Sequence, residues 1–102
     1  MEKQSLDSEE YKLGLRYEVL DECITNEMAW HGARLHEAGD GSEQGRKHSE
    51  AMMALVKLSE SICVNNESIE RGRRILNEMK AKRQAGDIGA IAVSVIPESA
   101  VA

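Results

Sequence analysis

The chain has no Phe, and Trp30, Tyr11 and Tyr17 are its only aromatic residues. That scarcity excludes an aromatic-rich core and the base-stacking platforms on which single-stranded nucleic acid is held. Its single proline, Pro97, leaves the first 96 residues without a proline break, which suits long helices. Two cysteines, Cys23 and Cys63, do not make a disulfide framework, so a reducing cytoplasm is the expected setting. No run approaches the roughly 20 apolar residues that span a bilayer, and no membrane association is expected. The opening residues, Met1 to Ser5, have neither the basic start nor the apolar stretch of a secretory signal.

What is present is a 102-residue chain with 8 Leu, 7 Ile and 6 Val. This suffices for one thin core, in which self-association would help stability. The net charge of −5 is unevenly spread. Residues 71–83 hold six basic groups (Arg71, Arg73, Arg74, Lys80, Lys82, Arg83) against Glu78, while the rest hold seven basic and seventeen acidic groups. Cations near a helix C-terminus explain Lys80, Lys82 and Arg83 without a ligand, but Arg71, Arg73 and Arg74 lie mid-segment. The six are therefore the candidate partner-binding residues on an otherwise acidic body.

Hydrophobic spacing predicts an all-α fold, either a helical hairpin or a three-helix bundle, with an extended or disordered tail. The expected division is an N-terminal arm at 1–6, a helical domain at 7–86 and an apolar tail at 87–102. Asp7 is the expected first cap, with Glu10 completing a capping box and Leu6 and Tyr11 a hydrophobic staple. Leu13, Tyr17, Leu20, Ile24, Met28, His31 and Leu35 then follow at three- and four-residue steps, and Ala38 to Ser42 stops the helix. A second stripe of Leu55, Leu58, Ile62, Asn65, Ile69, Gly72, Leu76 and Met79 repeats with heptad regularity. Val64 to Glu67 is either continuous helix or a break capped by Asn65 or Asn66. The expected helices are thus 7–37, 43–63 and 65–85, the last two either separate or fused.

The seam of the second helical region is longer than the first helix can cover, since about 42 residues face about 31 at 1.5 Å each. The excess predicts an antiparallel homodimer or a higher oligomer paired through Asn65, Ile69, Gly72, Leu76 and Met79. The tail, from Ile88 to Ile96, is small and β-branched, and would either lie on the helices, add to a partner's sheet, or stay disordered.

Residues 58–76 carry the most specific local pattern, which resembles the helix-turn-helix of DNA-binding proteins. Ser59 takes its small position, Ile62 and Val64 flank the turn, and Ile69 faces inward. The resemblance implies that Asn66, Glu67, Glu70, Arg71 and Arg74 approach double-stranded DNA. A sharp turn at Val64 to Glu67 favours this reading, whereas a straight helix favours a scaffold. Trp30-His31-Gly32 also resembles the Trp-x-Gly motif of small helical proteins exported by type VII secretion. In that family the motif occupies the hairpin turn and a later Tyr is followed by an acid. Here the turn signal is Gly39 to Ser42 and no Tyr follows Tyr17, so Trp30 is expected to anchor a core or an interface.

Cys23, Glu27 and His31 share a helix face, with Cys63 or His48 as possible fourth ligands, but the spacing matches no metal signature. No metal and no cofactor are expected. No glycine-rich turn presents either cysteine to a base, and Gly39-Asp40-Gly41 lacks the Gly-Lys-Ser/Thr of a phosphate loop. The expected function is a non-catalytic helical interaction module, an adaptor, inhibitor or accessory regulator with a protein partner. The alternative is a helix-turn-helix DNA-binding regulator.

Overall fold

The computed structural model of the protein describes residues 8–88. The expected arm at 1–6 and most of the expected tail lie outside the described residues. The chain is an all-α three-helix bundle of α1 (Glu9–Ala38), α2 (Glu43–Ser61) and α3 (Asn66–Gln84). Each helix starts on a side-chain cap. Ser8 caps α1 by accepting from the Tyr11 N–H, Ser42 caps α2 through Gly45, and Asn65 caps α3 through Ser68. The first of these corrects the expectation for Asp7, since Ser8 holds the capping geometry.

Gly39 turns the chain out of α1 at a φ of +93°, a conformation in which a Cβ is strained. Three residues later Ser42 donates to the Gly39 carbonyl at 2.8 Å. Gly45 packs so close to this turn that a Cβ there would stand 2.0 Å from the same carbonyl oxygen. The turn therefore returns α2 tightly antiparallel along α1. His31 meets His48 and Gly32 lies beside Met52.

The second connection is a real break, so the fused-helix alternative is excluded. Ile62 leaves α2 in an extended conformation and Asn65 enters α3 in another. The Cys63 N–H donates to Ser68 Oγ at 2.7 Å, and Arg71 reaches the Ser61 carbonyl at 3.3 Å. α3 then runs in the same sense as α1. Its contacts climb both helices together, from Arg16 with Asn66 and Glu70, through Leu20 beside Gly72, to Glu27 with Arg83. Past Gln84, Gly86 takes a φ of +84° and the Asp87 N–H returns to the Lys82 carbonyl at 2.9 Å.

The core is one cluster: Leu20 and Ile24 of α1, Ala54, Leu55 and Leu58 of α2, and Ile69, Ile75, Leu76 and Met79 of α3. Leu13, Tyr17, Cys23, Met28 and Ile62 pack against it. Gly72 is buried where α3 crosses closest, since a Cβ would meet Ile62 at 2.8 Å and Leu20 at 3.0 Å. The seam expected to pair two copies is thereby used within one chain. Ile69, Gly72, Leu76 and Met79 are buried under α1 and α2, and Asn65 is an exposed cap. Their burial removes the premise of an uncovered seam, on which the expected oligomer rested.

Candidate interaction surfaces

The basic segment divides on folding into residues held by the bundle and residues turned outward. Arg83 reaches across to Glu27, donating through Nε to one carboxylate oxygen and through Nη2 to the other at 3.2 Å. Glu27 is buried, so this two-pronged pair is internal structure. Arg71 is half-buried over the end of α2, with Ser61 and Ser68 as its acceptors. Neither guanidinium is free to meet a partner in the way its position in a basic run suggests. Lys80 and Lys82 are half-buried, whereas Arg73 and Arg74 are exposed on α3.

The residues assigned to DNA reading are similarly divided. Asn66 accepts from Arg16 at 2.6 Å, and Glu70 pairs with Arg16 at 2.7 Å. Arg71 is committed to the turn. Glu67 and Arg74 are exposed. The chain breaks between α2 and α3, from Ile62 to Asn65.

Two features escaped the sequence reading. The first is a polar cluster inside the hairpin end of the bundle. His31 and His48 are buried and their Nδ1 atoms lie 2.9 Å apart, linking α1 to α2. Burial pushes the His31 pKa down to about 4, opposed by Glu27 and helped by His48 and Arg83. His48 is lowered by burial and then by the charge of Arg34. Trp30 stands edge-on to His31 at 5.0 Å between ring centres, with Arg34 and Arg83 over its ring at 4.6 and 4.3 Å. Trp30 is thus an internal anchor within α1, and the turn follows at Gly39, unlike the Trp-x-Gly arrangement. Among the described residues every buried side-chain nitrogen and oxygen has a partner. The signal in the sequence was Glu27, an acid one turn before His31 on an apolar stripe, which demands a cation from elsewhere.

The second feature is the outward face of α1. Tyr11, Leu15 and Val19 recur every fourth residue and are 42, 45 and 55 % exposed. Glu18 and Glu22 lie on the same exposed face. The face points away from the core, since buried Leu20 and Ile24 occupy the opposite side of the helix. Met53 on α2 and Val64 in the second turn are also exposed, each singly.

Among the described residues no three His, Cys, Asp or Glu side chains are grouped as metal ligands. Cys63 is exposed in the second turn, while Cys23 is half-buried on α1, and both are free thiols. An open depression over the first turn is lined by Asp40, Gly41, Ser42, Glu43 and Arg46. Among the described residues no helix is long and apolar enough to cross a membrane. Comparison with protein-family models, with curated proteins and with solved structures finds no match to this chain.

Proposed function

We propose that the protein is a non-catalytic helical interaction module that docks a basic, amphipathic helix of a protein partner on the outward face of α1. The exposed stripe of Tyr11, Leu15 and Val19 carries this reading. Three large apolar side chains at i, i+4 and i+8 match the anchor spacing by which one helix packs on another. The acids Glu18 and Glu22 flank the middle and C-terminal part of the stripe and favour a basic visitor there, while exposed Lys12 lies at its N-terminal end. A parallel pairing of this face with a second copy would set these acids against one another, whereas an antiparallel one centred on Leu15 would set Glu18 opposite Lys12. Recovery of a second copy alone is therefore a result that counts against a different partner. The free thiols of Cys23 and Cys63 suit work in a reducing cytoplasm. Self-association through the Asn65 to Met79 seam is not part of the proposal, because those side chains already serve the bundle.

The test is co-purification from the native cell with wild type, a Leu15→Ser/Val19→Ser variant and an Arg73→Ala/Arg74→Ala variant, each shown to be helical. The expected result is one partner lost by the α1 variant and retained by the α3 variant, with recovery falling as salt rises. Equal recovery by all three would refute the assignment of the face.

A second reading is favoured by one observation, the capped break at Ile62 to Asn65. In it α3 approaches double-stranded DNA with Glu67, Arg73 and Arg74 outward. It is weaker because Arg16 and Ser61 engage Asn66, Glu70 and Arg71. Selection of genomic fragments at about 0.15 M salt, where weak phosphate contacts are screened, tests it. A shared site enriched by wild type and lost with Arg73→Glu/Arg74→Glu would support it, and no enrichment would remove it.

A further inference from the structure

We propose that His31 and His48 form a neutral lock between α1 and α2, closed by one hydrogen bond, which acid opens at the hairpin end of the bundle. The two Nδ1 atoms are 2.9 Å apart, so one must carry a hydrogen and the other a lone pair. The surroundings assign which is which. Nε2 of His31 lies 3.9 Å from a carboxylate oxygen of Glu27, too far for a hydrogen bond but near enough for the negative charge to favour the hydrogen on that side. Nδ1 of His31 is then the acceptor and Nδ1–H of His48 the donor.

A first proton has one place to go that keeps the bond, Nε2 of His48, and there it meets the charge of Arg34. A second proton must take the lone pair of His31. Two N–H groups would then face each other at 2.9 Å with no acceptor between them. The charged groups around the pair are Glu27 and Arg34 from α1 and Arg83 from α3. Glu27 alone favours the charged imidazole, and Arg83 already occupies both of its oxygens.

The direction of the pH effect follows. The unfolded chain binds protons at its histidines near pH 6.5, while folded His31 holds out to about 4. Stability from the lock is therefore complete above about pH 6.5 and is lost as the pH falls toward 4. For His31 alone, going from about pH 7.5 to about pH 5 raises the unfolding equilibrium constant about thirtyfold.

The experiment combines urea unfolding across that range with nitrogen-detected histidine titrations of the wild-type protein. Trp30, the only tryptophan and 5.0 Å from the His31 ring, serves as the fluorescence probe. The expected result is an Nε2–H form for His31, an Nδ1–H form for His48, and both titrating below the ordinary histidine value, His31 near 4. The His48→Gln variant, which keeps a donor but cannot take the first proton, should lose less stability between the two pH values than wild type. The His36→Gln control should behave as wild type. Titration of His31 near 6.5, or a stability that is flat from pH 7.5 to 5, would overturn the proposal. The titrations stand without the variant should His48→Gln not fold.

Discussion

At the scale of single residues, the bundle is decided by a few close approaches and one buried ion pair. Gly14 and Gly45 have opposite surroundings although both lie in helices. A Cβ at Gly14 meets nothing within 4 Å, so Gly14→Ala should stabilise the fold by about 0.5–1 kcal/mol, the ordinary helical gain of alanine over glycine. At Gly45 the same Cβ would overlap the Gly39 carbonyl, which is backbone and held by the Ser42 hydroxyl. Gly45→Ala should therefore cost about 2 kcal/mol despite the helical gain. Paired thermal melts check both signs.

The basic segment gives a second contrast at this scale. Arg83→Leu strands the buried Glu27 carboxylate and should cost about 3 kcal/mol. Arg73→Ala, on the exposed face of the same helix, should stay within about 0.5 kcal/mol of wild type. Equal effects in urea titrations would show that the segment is uniform, as its composition suggests. Nothing local to residues 71–83 separates Arg83 from Arg73, because the partner of Arg83 lies 56 residues earlier. Charge counting sees the run, whereas the pairing depends on how α3 lies along α1.

At the scale of elements, α1 was legible almost in full. Its stripe from Leu13 to Leu35 contains Leu20, Ile24 and His31, all buried, and the glycine turn falls where Gly39 and Gly41 stand. The boundary between α2 and α3 was not. The three–four repeat passes from Leu58 through Ile62 and Asn65 to Ile69 without a missed beat, so periodicity reads one helix. The chain breaks there because Asn65 prefers to cap, and because Ser68 and Arg71 satisfy the groups that the turn exposes. Asn65→Ala removes the acceptor of the Ser68 N–H and should cost about 1 kcal/mol. The loss should appear as faster amide exchange in the first turn of α3.

At the scale of the whole molecule, the break changes what the seam is for. A continuous second helix would leave its far half bare and call for another copy of the chain. Folding back at residues 62–65 buries Ile69, Leu76 and Met79 beside Leu20 and Ile24 within a single copy. Among the described residues, the exposed apolar stripe that then remains is on the outward side of α1, where Tyr11, Leu15 and Val19 sit with Glu18, Glu22 and Lys12. Helical spacing already separates this face from the core stripe of Leu13, Tyr17, Leu20 and Ile24, but only the placement of α2 and α3 shows that no other element of the bundle covers it.

The most direct test of that face is photo-crosslinking in the native cell, with a photoreactive residue at Val19 and, separately, at Arg74 on α3. The account predicts one discrete protein adduct from position 19, abolished by Leu15→Ser, and none from position 74. Adducts to DNA from position 74, with none from position 19, would contradict it and transfer the function to α3.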